Sequence, residues 1–592
     1  MKLNQMKESI FKRRSISFVF VALLIILLVP APLLRAEEKA SLLDKVPDGI
    51  ATVFYAKDVR DGLKPFLKSD YYGKVKDLSL FEGPLKSDIS APVLSLLGDI
   101  EETTGLKVTL KKILFIVGDE AVFYSTRIVG GEAHVAVVET GWFKGLLIDV
   151  ISKLHSGIQA EALPGFEAWS LAVGAKRLYY VHIPGYTVIS DDSGALTTQW
   201  QMFFGSSPNA LSQNPAFLKA LSGAGNQYHV LIFHVVTKPG EGEKGIIARG
   251  ERLLAESESF CITIALEKGG AVIKLFSPYL EGRGIGTFRS LGEASDRAFD
   301  FGTYPKDTAA IVTFSSFDAK VLYPHFYQYW FSDTYERMNY IEYLKKWRNE
   351  KGFDLEAGII DNLGSGASFF LAGLRYEGRN PYPNAALSFG IQNENREVLV
   401  KNLSALFSYA SMASGPNVVR YGDADIYYMG DFRYREGTWS SNTYIETIKT
   451  NPGFALTEQD LIAFRDFGAI AGMMDTKIFS DIGNRLGEAN GPLAFGSLAS
   501  SPVFSEAVKL LPPENYDIFL FVDGSRSVSL IETYIINLSS HFKYFLYQDA
   551  EKRFIPLLEL TRSSFVTFYG GVAFKKDGIS GEFKLVSRDI DN

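Results

Sequence analysis

Val46-Pro47-Asp48-Gly49-Ile50-Ala51-Thr52-Val53-Phe54-Tyr55 opens the first half of the chain, and Tyr304-Pro305-Lys306-Asp307-Thr308-Ala309-Ala310-Ile311-Val312-Thr313-Phe314 answers it in the second. Setting Asp48 against Asp307 pairs Ala51 with Ala310 and Val53 with Val312. Proline presets a turn, and alternating β-branched and aromatic residues suit a pleated surface, so each stretch reads as a Pro/Asp turn entering a strand. The same offset pairs Leu63-Lys64-Pro65 with Leu322-Tyr323-Pro324, where a helix is expected.

Further pairs follow in the same order. Ile113 to Tyr124 matches Ile360 to Phe370, with Gly118-Asp119-Glu120-Ala121-Val122-Phe123 against Gly364-Ser365-Gly366-Ala367-Ser368-Phe369. Asn214-Pro215-Ala216-Phe217 matches Ser501-Pro502-Val503-Phe504. The strand-like runs Tyr228 to Phe233 and Tyr516 to Phe521 come next. Asn or Ser before Pro is a helix start. Ile264 to Gly270 resembles Val572 to Gly578, each a hairpin around a Gly-containing turn. A looser match sets Leu178 to Ser190 against Tyr427 to Asp431 and Ala469 to Asp475.

Collinear matches at so long a spacing are not a solenoid, whose units run about 20–50 residues. They predict an α+β fold of two tandem homologous domains, each a mainly antiparallel sheet covered by helices. The first copy is placed at 37–281, a linker at 282–303 and the second copy at 304–592. Both copies fall in the upper part of the usual single-domain range.

The N-terminus carries Lys2, Lys7, Lys12, Arg13 and Arg14, then an apolar run from Ile16 to Val29, then Pro30-Ala31-Pro32 and Arg35-Ala36-Glu37. That is the layout of a secretory signal peptide over 1–36, cleaved after Ala36. An N-terminal anchor is the alternative, since counting on to Leu34 approaches the roughly 20 residues of a spanning helix. The expected location is extracytoplasmic, in the periplasm or anchored to the inner membrane. Six basic residues and one acidic residue lie in the leader, so its removal takes the net charge from −7 to −12. An acidic surface argues against nucleic acid, whose binding rests on phosphate neutralisation. It also leaves the N-terminal segment as the membrane contact, if it stays attached. Cys261 is the only cysteine, so no intrachain disulfide forms and the cores must supply stability.

No residue pattern carries a reaction. The seven histidines include no HExxH, so no metal site is assigned. His229 and His234 stand an odd number apart in one strand and face opposite sides. They correspond to Asp517 and Val522. Gly240-Glu241-Gly242-Glu243-Lys244-Gly245 satisfies G-x-G-x-x-G, but two glutamates would repel a pyrophosphate, so the stretch reads as an acidic loop and no cofactor is assigned. No G-x-S-x-G occurs, although a triad could be assembled from distant residues. Glu101-Glu102, Asp191-Asp192 and Asp119-Glu120 are paired carboxylates that read first as solvated turns. Cys261 alternates with Phe260 and Ile262 and reads as a buried, inert thiol.

One segment stands apart. Leu322 to Trp347 packs Tyr323, Phe326, Tyr327, Tyr329, Trp330, Phe331 and Tyr335 into a helical stretch that continues through Tyr340, Tyr343 and Trp347. More aromatics are present than one helix face can bury. The segment is either an interface between the two copies or a surface for an envelope protein, an apolar ligand or a glycan.

Pro47-Asp48, Pro305-Lys306-Asp307, Pro215-Ala216-Phe217 and Pro502-Val503-Phe504 together resemble the pattern of a bacterial family of exported proteins of unknown function. Its members carry a leader or anchor, a Pro-x-Asp entry into a strand and a Pro-x-Phe helix. The resemblance implies the fold and brings no activity with it. The reading is therefore an exported, non-catalytic protein that binds a ligand or partner in the envelope. Its alternatives are an exported hydrolase with a dispersed active site and a carrier of apolar ligands. An enzyme should show converging polar residues in one copy only.

Overall fold

Ile50–Lys57 forms a strand, β1, in the computed structural model. Val53 and Tyr55 point into a core while Thr52 and Phe54 lie on the opposite, half-buried face. The structure describes residues 41–58, 119–128, 131–140, 158–173, 176–205, 209–236, 257–267, 269–280, 301–330, 334–377, 380–391, 393–411, 416–421, 424–429, 432–436, 446–450, 452–464, 497–541, 558, 561–562 and 565–587. The leader, the 240–245 loop and the Glu101-Glu102 pair lie outside them, as do most of the proposed linker and the 469–475 match.

Two compact units emerge, and the chain crosses from the second back to the first between Lys576 and Asp577. The first unit holds β1, β2 (Glu120–Ile128), β3 (Gly131–Glu139), β4 (Ile158–Leu163), β5 (Phe166–Val173), β6 (Lys176–Ile183), β7 (Tyr186–Ser190), β8 (Val230–Val235), β9 (Ser259–Glu267), β10 (Gly270–Pro278) and β22 (Gly578–Ser587). Every pairing is antiparallel, in the spatial order β4-β5-β6-β7-β3-β2-β1-β8-β9-β10-β22. Placing 304–592 in the second copy thus assigns by sequence a strand that runs beside β10, from Gly270↔Val586 to Pro278↔Gly578.

Two helices of this unit are α1 (Ser193–Phe204) and α2 (Pro215–Ala224). Asn214 caps α2 by accepting from Ala216 N–H and Phe217 N–H, with Pro215 in the first turn, where its missing N–H costs nothing. The helix lies on β9 and β10. Phe217 meets Phe233 edge to face at 5.1 Å, and a side chain on Gly223 would strike the Phe276 ring. The core runs through Val53, Val122, Val135, Leu231 and Phe217, each contributing about 1.5–3 kcal/mol by burial.

The second unit holds β11 (Ala310–Asp318), β12 (Leu363–Glu377), β13 (Asn380–Ile391), β14 (Asn417–Tyr421), β15 (Ala424–Tyr428), β18 (Gly453–Leu456), β19 (Asp460–Phe464), β20 (Ile518–Asp523) and β21 (Phe565–Phe574). A separate hairpin is formed by β16 (Phe432–Glu436) and β17 (Glu446–Thr450). The sheet is again antiparallel, in the order β14-β15-β18-β19-β13-β12-β11-β20-β21. With the β16–β17 hairpin set aside, its nine places follow the first nine of the other sheet. Matching details accompany the order. Leu211 N–H donates to Val46 O, and Leu498 N–H to Tyr304 O, each just before the Pro-led helix. Pro47 bridges Ala210 as Pro305 bridges Ser497.

The ladders correct one detail of the sequence alignment. Val53 faces Tyr124 and Phe233, while Ile311 faces Phe370 and Phe521, so the equivalent of Val53 is Ile311 rather than Val312. A one-residue slip moves every side chain to the other face, and Val312 is half-exposed where Val53 is buried. By ladder position, β6 and β7 correspond to β18 and β19 rather than to Tyr427 to Asp431.

The second unit's helices are α3 (Ala319–Trp330), α4 (Thr334–Lys351), α5 (Leu355–Gly358), α6 (Arg396–Ser411), α7 (Pro502–Leu510) and α8 (Gly524–His541). One core joins Phe504 of α7 to Phe519 and Phe521, with Tyr304 against Phe370 at 5.0 Å. A second joins Phe353, Leu399, Leu403, Phe454 and Leu461. Asp523, nearly buried, starts α8 directly from β20 by accepting from Arg526 N–H and Ser525 Oγ–H.

Candidate functional site

The aromatic segment folds as α3 followed by α4. Pro324 sits inside α3, where it removes one helical donor. Tyr323 is half-buried, and its hydroxyl lies 3.4 Å from that of Tyr340 on α4. The side chains of Phe326, Tyr327, Tyr329 and Trp330 lie outside the described residues, as does Phe331.

Along α4, Arg337, Tyr340, Leu344 and Trp347 recur at three- and four-residue steps and form its half-buried side. Trp347 seals this side against Phe353 at 5.4 Å and Tyr343 at 4.9 Å. The remaining apolar residues face water. Tyr335 is 71% exposed, Met338 56%, Tyr343 49% and Ile341 41%. Lys345, Lys346 and Arg348 are exposed beside them, and Arg348 reaches Asp354 at 3.0 Å. Tyr335 was legible as a candidate from aromatic density alone. Met338 and Ile341 were missed because neither is aromatic; the successive three-residue steps from Tyr335 to Met338 to Ile341 are the signal that marks the ridge.

The other chemistry-bearing residues have structural work. Burial pushes the Cys261 thiol up to about 12, so it is not a thiolate at neutral pH. His229 Nδ1 accepts from Leu266 N–H, and burial holds this imidazole below its ordinary value. Glu120, one of the paired carboxylates, is no solvated turn residue. It is buried and accepts from Leu42 N–H at 2.7 Å and from the Tyr55 hydroxyl at 2.6 Å. Burial and the Glu120 carboxylate drive the Tyr55 hydroxyl well above its usual range. Its partner in sequence, Asp119, is exposed. Asp192 caps α1 through Ala195 N–H, while Asp191 holds His134. His234 Nδ1 meets Thr52 Oγ1 at 2.8 Å. Burial raises the Asp307 carboxyl above its ordinary value. Among the described residues no three His, Cys, Asp or Glu side chains are grouped to hold a metal ion, and no helix is long and apolar enough to cross a membrane.

No protein-family model matches the chain, and no curated protein matches it. Three solved structures, titled as crystal forms III, I and IV of TP0453, align with 44%, 42% and 40% of this chain and 90%, 81% and 79% of theirs. Identities are 10%, 9% and 9%, with TM-scores of 0.24, 0.24 and 0.22.

Proposed function

We propose that this is an exported envelope protein that binds a partner protein through the exposed side of α4, and that its two units descend from one duplicated domain. The observation that carries the docking reading is the water-facing run Tyr335, Met338 and Ile341 on a helix whose other side is already packed. Large apolar side chains grouped on one surface cost free energy unless something covers them. Tyr and Met recur at the centres of interfaces because they give area with few frozen rotors or with adaptable shape. The duplication reading is supported by the shared strand order and by the paired Leu211–Val46 and Leu498–Tyr304 bonds.

The test uses the full chain in its host envelope. Wild type should elute in a complex larger than its own mass after gentle solubilisation, and the Met338→Glu/Ile341→Glu double variant should elute as the free chain. Equal elution of the two would remove α4 as the docking face. The recovered wild-type chain should begin at Glu37 by N-terminal mass spectrometry, and recovery of the intact leader would replace cleavage by anchoring.

A further inference from the structure

The neighbouring strands β10 and β22 of the first unit occupy equivalent places in the two halves of the sequence. The strands before them fix the offset. Val230 of β8 faces Ile264 of β9, and Ile518 of β20 faces Val572 of β21, so Ile264 answers Val572. Counting on through each hairpin sets Gly270 against Gly578, Lys274 against Glu582 and Pro278 against Val586.

The antiparallel register of β10 and β22 maps onto itself when these equivalents are exchanged. Gly270↔Val586 becomes Gly578↔Pro278, the other end of the same ladder, and Lys274↔Glu582 becomes itself. The flanking bonds obey the same exchange: Ser587 N–H donates to Gly269 O at 2.7 Å, and Tyr279 N–H to Asp577 O at 3.3 Å. So do the close approaches. A side chain on Gly270 would strike the Leu585 carbonyl, and one on Gly578 would strike the carbonyl of Ser277, the equivalent of Leu585. That reciprocity is the rule of an isologous contact between identical subunits. Burial alone does not impose it, because a shift of two residues would keep every side chain on its face and break the symmetry.

A domain that ended at β10 would present a row of unpaired N–H and C=O groups, the template on which another chain pairs. On the duplication reading, on which this inference rests, we propose that the β10–β22 ladder is the strand pairing of a symmetric homodimer kept within one chain, and that the β10 edge still accepts the β10 of a second copy of this chain when β22 is unseated. Self-pairing in the same register sets Gly270 against Pro278, Val272 against Phe276 and Lys274 against Lys274. In the intact ladder Lys274 Nζ lies 3.9 Å from a Glu582 oxygen at the centre of the symmetry. Like charges directly opposite destabilise a strand pair, so Lys274 and Glu582 favour the unlike strands over either strand with its own kind.

The full chain with engineered thiols tests this, since Cys261, the only native cysteine, is buried. Both flanking bonds fall on odd-numbered residues, so Lys274 and Glu582 are a non-hydrogen-bonded pair, whose side chains stand closest and can be bridged. Lys274→Cys/Glu582→Cys should oxidise to a monomer with an internal disulfide. Gly578→Val drives a side chain into the Ser277 carbonyl and unseats β22 while leaving β10 unchanged. Lys274→Cys/Gly578→Val should oxidise to a dimer joined through position 274 of both chains. Val272→Cys/Gly578→Val should give on the order of tenfold less dimer, because Val272 meets Phe276 rather than itself and lies beyond disulfide reach of its own copy. Lys274→Cys with β22 intact should stay monomeric. If circular dichroism shows Gly578→Val unfolded, Gly581→Pro/Phe583→Pro, which deletes two odd-numbered donors of β22 to β10, takes its place under the same criteria. Without the internal disulfide the register fails, and the proposal with it. With the internal disulfide formed, absence of the 274-linked dimer, equal linkage through position 272, or equal dimer with β22 intact overturns self-pairing and leaves the duplication reading standing.

Discussion

His229 and Asp517 hold the same bond in the two units. His229 Nδ1 accepts from Leu266 N–H at 3.0 Å, and Asp517 Oδ2 accepts from Phe574 N–H at 2.6 Å. Their own backbone N–H groups donate to Ile264 O and Val572 O, again in parallel. A histidine and an aspartate share only the ability to accept at that distance from the chain, so the position selects an acceptor.

His229→Ala leaves Leu266 N–H without its acceptor and should destabilise the protein by about 1–3 kcal/mol, while His229→Asn should recover most of that. The imidazole is held below its ordinary value in the folded state, so the fold binds fewer protons there than the unfolded chain. Its contribution is complete above the unfolded value of about 6.5 and is lost as pH falls below it. Urea midpoints measured between pH 7.5 and 5 should fall more steeply for wild type than for His229→Asn.

Glu120 ties the Leu42 backbone to Tyr55 on β1. Glu120→Ala removes a charged acceptor from two donors and should cost about 3 kcal/mol, while Tyr55→Phe should cost about 1 kcal/mol. Denaturant titration of the single and double variants should give a non-additive pair, because both changes break one shared bond.

The last strand is clamped at Gly270. Its φ is +158°, and an added Cβ would collide with the Leu585 carbonyl of β22. Gly270→Ala should therefore lower stability by about 2 kcal/mol or more, through displaced backbone rather than a lost contact. Thermal melts that match wild type would mean β22 is not held against β10 in solution.

Met338→Glu and Ile341→Glu, alone or together, should change stability by no more than about 0.5 kcal/mol, because both side chains face water. Circular dichroism melts check this, and they make any loss of complex a binding effect rather than unfolding.

The sequence announced the strands around Val53, Ile311, Leu231 and Phe519, since alternation and turn chemistry are local properties. It also announced the Asn214-Pro215 helix start. It missed the one-residue correction that pairs Val53 with Ile311, because face assignment depends on strands far away in the chain. The departure of Gly578–Ser587 to the first unit was hidden for the same reason. Tyr335 stood out by aromatic density, but Met338 and Ile341 became visible only when the packed side of α4 was known.

Site-specific photo-crosslinking tests the docking claim most directly. A photoreactive phenylalanine analogue in place of Tyr335, in the full chain within the envelope, should give one discrete adduct. The same analogue at exposed Leu218 in the first unit should give none, and adding Met338→Glu/Ile341→Glu should erase the Tyr335 adduct. No adduct at Tyr335, or equal adducts at both positions, would contradict the account.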